Sequence, residues 1–164
     1  MSNRRFLFSG SGNGERLNFY PNMKAIIAEK PSVGMDIARV VGATEKKDGY
    51  CIGNGYMVTW ALGHLVSLAL PGTYGYTKTA ADDLPMIPEP FRLVARQIKT
   101  AKGMVTDITA NKQLKTIDEV FSKCDSIIVA TDAGREGELI FRWIYDYLGY
   151  TKPFQRLWIS SLTD

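Results

Sequence analysis

The sequence predicts an α/β fold in which a mostly parallel sheet is flanked by helices and carries a β-hairpin insertion. Two apolar, β-branched runs, residues 24–28 and 127–130, each end in acidic residues and are followed by a helical pattern. Strands of this composition are typical of parallel sheets that are buried on both faces. Asn54 and Gly55 lie between two β-prone runs, which is the strongest short-range hairpin signal in the chain.

The first strand leads into a helix. We expect this helix to begin after an N-cap at Ser32 and to end at Gly42, because serine favours the first position and glycine the residue beyond the end. Its apolar face is predicted to contain Val33, Ile37, Val40 and Val41.

Four further segments complete the predicted fold. Residues 71–90 are punctuated by proline and glycine and form a loop, residues 91–99 a strand, residues 111–123 a helix, and residues 154–159 a strand. We expect the loop to be ordered by its tyrosines and by three apolar side chains that dock on the sheet, Leu84, Met86 and Ile87.

The composition is that of a globular domain. With 164 residues the chain fits one domain with a sizeable core. No apolar run approaches the roughly 18 residues that span a bilayer, so no membrane association is expected. Cys51 and Cys124 are far apart and lack a CxxC spacing, which predicts reduced thiols in a cytoplasmic protein. The net charge of +3 is small, so any affinity for nucleic acid must come from locally placed Lys and Arg.

Residues 1–22 differ from the rest of the chain. They contain the stretch SGSGNG at residues 9–14 and show no helical or strand period, which predicts a flexible N-terminal extension. Met23 immediately precedes the first strand, and we predict that it is the natural start of a domain formed by residues 23–164.

The acidic residues at the two strand ends are the strongest functional signal. Glu29 follows the first strand, while Asp132 and Glu136 follow the second apolar run. If the strands are neighbours, the three carboxylates converge at the carboxyl edge of the sheet, where open α/β folds bind their ligands. Oxygen ligands of this kind suit Mg²⁺. The alternative is that the acidic residues only stabilise the following helix. Asp132 would then be its N-cap, and Glu136 in the first turn would interact favourably with the helix dipole.

Several motifs give the chain a family resemblance. EKPS at residues 29–32 and TDAGREGE at residues 131–138 resemble the Toprim domain, a Rossmann-like domain shared by topoisomerases, primases and some nucleases. Three further stretches resemble bacterial topoisomerase III-like type IA DNA topoisomerases: WALGHL at residues 60–65, DLPMIP at 83–88 and LWISSLT at 157–163.

The resemblance implies roles for the acidic residues. Glu29 would act near the leaving 3′-oxygen as general acid and then base. Glu29, Asp132 and Glu136 would hold Mg²⁺, with Glu29 contributing to both functions. Gly134 stands where the family pattern has a second aspartate, which favours a single Mg²⁺ held partly by DNA phosphate.

Three residues are candidates for contact with DNA. By the resemblance, Lys30 approaches the scissile phosphate and is catalytic, because it stabilises the phosphoryl charge. Arg135 either clamps phosphate bidentately or pairs with Glu138 on the surface. His64 is the only histidine and is either structural or helps to position DNA.

The resemblance also implies a larger enzyme. Type IA enzymes cut one strand with a tyrosine of a downstream domain, and none of the eight tyrosines here fits its Tyr-Pro-Arg-like context. We expect an N-terminal fragment of an ATP-independent topoisomerase that is monomeric, cytoplasmic and nucleoid-associated. Its partners would be single-stranded DNA and the remaining domains of the same chain. The alternatives are another Toprim enzyme, a primase or nuclease, and a non-catalytic nucleic-acid-binding module.

Overall fold

A computed structural model describes residues 22–76, 84–101 and 103–158, which form ten strands and three α-helices. The strands are β1 (Lys24–Ala28), β2 (Glu45–Lys47), β3 (Tyr50–Gly53), β4 (Tyr56–Trp60), β5 (Val66–Leu68), β6 (Leu93–Ala95), β7 (Gln97–Thr100), β8 (Gly103–Thr106), β9 (Ser126–Ala130) and β10 (Phe154–Arg156). The helices are α1 (Pro31–Val41), α2 (Ile108–Lys123) and α3 (Arg135–Tyr147). The predicted extension, residues 1–22, lies outside the described residues except for Asn22.

Six strands form the central sheet, in the order β10-β9-β1-β4-β3-β2. The first four are mutually parallel, and β3 and β2 extend the sheet through antiparallel pairs. The predicted α/β class is therefore confirmed. The hairpin between β3 and β4 is also confirmed, since Asn54 and Gly55 both have positive φ, 48° and 80°, as a two-residue hairpin turn requires.

Helices cover both faces of this sheet. On one face α1 packs over β1 and β4, where Ile37 and Ala38 contact a cluster that includes Ile26 and Val58. On the other face α2 and α3 cover a larger core that contains Phe121 and Phe141. A side chain of this size contributes about 1.5–3 kcal/mol when it is fully buried.

The ends of α1 differ in part from the prediction. The helix begins at Pro31 with Lys30 as its N-cap, so the predicted N-cap at Ser32 is wrong, because proline is pre-organised for the first helical position. The predicted stop at Gly42 is confirmed, with φ of 77°. Val40 is 82% exposed and does not join the apolar face, where Gly34 instead allows close contact with Trp60.

The secondary structure in the middle of the chain differs from the prediction. Residues 91–99 form parts of two strands, because β6 pairs with β5 while β7 pairs with β8. Helix α2 begins three residues earlier than expected, since Asp107 caps it by accepting hydrogen bonds from Thr109 and Ala110. The last strand is β10, and Ile159 at the end of the predicted strand lies outside the described residues.

The loop after β5 is anchored by an aromatic residue rather than by its aliphatic ones. The Tyr74 hydroxyl accepts a hydrogen bond from the backbone N–H of Arg92 at 2.7 Å. Leu84 and Ile87 are more than half exposed, so their predicted docking on the sheet is wrong, whereas Met86 is half-buried. Elsewhere, Cys51 and Cys124 are buried free thiols, as predicted. No helix in the described ranges is long and apolar enough to cross a membrane.

Candidate functional site

Two of the predicted acidic residues meet at the carboxyl edge of the parallel sheet. Strands β1 and β9 are direct neighbours, with Ala28 opposite Ala130, so Glu29 and the turn that contains Asp132 leave the sheet side by side. The backbone N–H of Asp132 donates a hydrogen bond to Oε2 of Glu29 at 3.2 Å. The adjacency expected from two parallel strand ends is present in the structure.

Two helices also begin at this edge. The N-cap of α1 is Lys30, directly after Glu29, and the N-cap of α3 is Gly134, two residues after Asp132. The first amides of a helix have no partner within the helix, and its N-terminus carries partial positive charge, so both ends favour negative charge at this position. The alternative that Asp132 caps α3 is wrong, because Gly134 occupies that position without a side-chain cap.

The third predicted acidic residue has a different partner. Glu136 lies in the first turn of α3, and its Oε1 contacts Nε2 of His64. The His64 ring lies 5.8 Å from the ring of Trp143, which is two turns beyond Glu136 on the same helix face. With Glu136 in this orientation, the described part of the chain contains no group of three or more His, Cys, Asp or Glu placed to hold a metal ion.

The basic candidates are placed as follows. Lys30 and Arg135 are exposed at the starts of α1 and α3. The alternative pairing of Arg135 with Glu138 is wrong, since the Glu138 carboxylate contacts Arg142 at 2.6 Å and also Arg156. The hydrogen bond from Arg142, helped by Arg156, holds the pKa of Glu138 below its ordinary value.

Three residues that the sequence analysis did not single out fix the acidic turn. The Thr131 hydroxyl donates to the carbonyl of Gly137 at 2.8 Å, and Nη1 of Arg156 donates to the carbonyl of Thr131 at 3.0 Å. A Cβ atom on Gly137 would lie 2.2 Å from the carbonyl oxygen of Asp132. The two glycines of the TDAGREGE run were visible in the sequence, but only the fold shows that Gly137 serves close packing.

The donor set at this edge fits a hard cation. Glu29 is half-buried and Asp132 is exposed, so both can present carboxylate oxygens to a ligand at the surface. Mg²⁺ takes oxygen ligands and is usually held by one or two carboxylates together with waters and substrate phosphates. Glu29 and Asp132 meet this requirement, and Glu136 would add a third carboxylate if it turned away from His64.

This chain is similar in sequence to a known domain family and to named proteins. Residues 24–162 match the Toprim domain family. The chain is 48% identical over 145 residues to DNA topoisomerase 3 of Shouchella clausii and 50% identical over 141 residues to DNA topoisomerase 3 of Bacillus subtilis. These alignments cover 86% and 85% of this chain, and 18% of each relative. The chain thus spans about a fifth of the length of these relatives. From the extent of the family match, this chain belongs to the Toprim domain family.

Proposed function

We propose that this Toprim domain holds one Mg²⁺ with Glu29 and Asp132, joined by Glu136 when it leaves His64, and that it serves a type IA DNA topoisomerase. Such an enzyme cuts and rejoins single DNA strands without ATP. The observation that carries the proposal is the contact between Glu29 and the Asp132 turn at adjacent strand ends. Magnesium binding is the general role of Toprim domains, and both relatives reported above are named DNA topoisomerase 3.

Each residue has a distinct part in this proposal. Glu29 gives a proton to the leaving 3′-oxygen of the cut strand and takes it back on rejoining. Lys30 and Arg135 contact phosphate, and His64 contacts the DNA near Glu136. The metal ion, when bound, supplies positive charge that neutralises the phosphodiester.

The nucleophile is assigned to another part of a longer chain. Among the described tyrosines, Tyr145 donates its hydroxyl hydrogen to the carbonyl of Lys152, and Tyr150 donates to Asp118. Burial also raises the pKa of Tyr150, which disfavours the phenolate that would attack phosphate. We infer a downstream tyrosine, with single-stranded DNA and the remaining domains as partners, in a monomeric, cytoplasmic and nucleoid-associated enzyme.

A magnesium titration tests the metal site. We expect Mg²⁺ to shift the backbone amide NMR signals of Glu29, Lys30 and the residues around Asp132, and Asp132→Asn to abolish most of this effect. The matched control is Asp146→Asn, which removes an exposed carboxylate from the far end of α3 and is expected to leave the titration unchanged. Shifts of equal size in Asp132→Asn and the unaltered protein would refute the assignment.

An assay on DNA separates the proposed function from its alternatives. The chain alone is expected to bind single-stranded DNA weakly and to leave supercoiled DNA intact, because it lacks the attacking tyrosine. Mg²⁺-dependent nicking by the purified chain would favour the nuclease alternative. Relaxation of supercoiled DNA by the chain alone would contradict the assignment of the nucleophile to another domain.

A further inference from the structure

Arg96, between β6 and β7, makes several polar contacts through both its side chain and its backbone. Its Nε and Nη2 atoms lie 2.9 Å and 2.7 Å from Oδ2 of Asp107. Its Nη1 donates to the carbonyl oxygens of Leu62 and His64, each at 3.1 Å. The backbone N–H of Arg96 also donates to the carbonyl of Leu65 at 2.8 Å. One residue therefore fixes the whole segment from Leu62 to Leu65.

The shape of that segment suits the guanidinium group. Gly63 lies between the two carbonyls that accept from Arg96 and has φ of +66°, a backbone conformation that glycine adopts without strain. This turn brings the carbonyls of Leu62 and His64 to the same nitrogen. Asp107 contacts the other side of the guanidinium group. The position of Asp107 is itself fixed, because its side chain also caps α2.

The segment fixed by Arg96 carries His64 to Glu136. His64 is 72 residues away from Glu136 in the chain, and its side chain meets the carboxylate at the first turn of α3. The pair is largely open to solvent, with side-chain exposures of 35% for His64 and 69% for Glu136. A contact between two such exposed groups contributes little by itself, so the position of the His64 backbone decides whether the ring stays beside Glu136.

We infer that Arg96 is a positioning residue of the candidate metal site, which holds His64 against Glu136 and so keeps the Glu136 carboxylate away from Asp132. The inference rests on the proposed function of the site. The carboxylate of Glu136 has two competing interactions. It either pairs with His64 or coordinates Mg²⁺ beside Glu29 and Asp132. Releasing His64 makes Glu136 more available to the cation.

The test uses the single histidine as its own reporter. Because the chain has one His, every imidazole NMR signal belongs to His64. In Arg96→Gln, at one fixed pH and without Mg²⁺, we expect the ring proton and nitrogen signals to shift and broaden. We also expect Mg²⁺ to bind roughly twofold to fivefold more tightly, the factor that corresponds to loss of an exposed ion pair.

Two further variants serve as a control and as a second test. Arg39→Gln removes an exposed arginine of α1 that pairs only loosely with Asp36, at 3.5 Å, and is expected to change neither readout. Arg96→Lys keeps the charge beside Asp107 but lacks the planar guanidinium group that contacts Asp107 and the two carbonyls at the same time. We expect it to displace the His64 signals almost as much as Arg96→Gln does, and it serves as the test variant if Arg96→Gln does not fold.

The outcomes distinguish the inference from the proposed function. Unchanged His64 ring signals in a folded Arg96→Gln or Arg96→Lys protein overturn the inference. Displaced ring signals with unchanged or weaker Mg²⁺ binding also overturn it, because Glu136 would then not be the shared group. Absence of Mg²⁺ binding by the unaltered protein refutes the proposed function instead, and the ring signals alone then decide whether Arg96 positions His64.

Discussion

The close contact at Gly137 gives the sharpest prediction about the acidic turn. Gly137 is buried in the first turn of α3, and a Cβ atom at this position would lie 2.2 Å from the carbonyl oxygen and 2.7 Å from the nitrogen of Asp132. Both are backbone atoms, so the clash is not relieved by rotation of a side chain. Gly137→Ala must therefore displace either the start of α3 or the turn that carries Asp132.

The expected change in the free energy of unfolding is the balance of opposing effects. Alanine in place of glycine favours a helix by about 1 kcal/mol. Forcing an extra methyl group into a packed region costs about 1–3 kcal/mol. Displacement also weakens the hydrogen bond from Thr131 to the Gly137 carbonyl, which is worth about 1 kcal/mol. We expect Gly137→Ala to lower the free energy of unfolding by about 1–3 kcal/mol.

Urea denaturation provides the measurement. With a slope near 2 kcal/mol/M, the expected loss lowers the midpoint by about 0.5–1.5 M. Gly72→Ala is the matched control, because its Cβ atom would meet nothing within 4 Å and its φ is not in the positive region that favours glycine. A Gly137→Ala protein as stable as the control would refute the packing argument.

Three other predictions concern the same region and the core. Gly134→Asp is expected to bind Mg²⁺ more tightly and to unfold at slightly higher urea concentration. Gly134→Asn should gain only the stability that an N-cap side chain provides, without tighter Mg²⁺ binding. Cys124, whose pKa burial raises to about 12, should react with a thiol reagent at pH 8 only as fast as the protein unfolds. Because its partners Arg142 and Arg156 lower the pKa of Glu138, this residue stabilises the fold above its ordinary pKa of 4.5, and that contribution is lost as the pH falls through the lowered value. Glu138→Gln should therefore destabilise the protein more at pH 7 than at pH 3, measured by thermal unfolding.

Sequence reasoning succeeded where a short pattern determines the geometry. Strand β1 and the hairpin turn at Asn54 are set by local composition, and parallel packing of β1 with β9 then brings Glu29 to Asp132. The remaining contacts join distant parts of the chain. Nothing local to His64 indicates that its backbone is held by Arg96, 32 residues later, or that its ring meets Glu136.

The break between β6 and β7 shows the same limit for secondary structure. Residues 91–99 have the composition of one strand, but Arg96 interrupts the pairing because its backbone bonds to Leu65 on one side and Asp107 on the other. Strand β6 then pairs with β5, and β7 with β8. Such a change of partner depends on where the neighbouring segments lie, so no window of sequence reveals it.

The charges at the carboxyl edge suggest why a cation belongs there in the proposed function. The N-termini of α1 and α3 and the amide of Asp132 offset part of the repulsion among the acidic groups, each helix end by about 0.3–1 kcal/mol. In the proposed function, a DNA phosphate would add a further negative charge beside Glu29 and Asp132. Lys30 and Arg135 are exposed at the rim, where solvent weakens their attraction. In the proposed function, a divalent ion held by Glu29 and Asp132 would supply the positive charge that offsets this repulsion, so that the phosphate could approach the carboxylates.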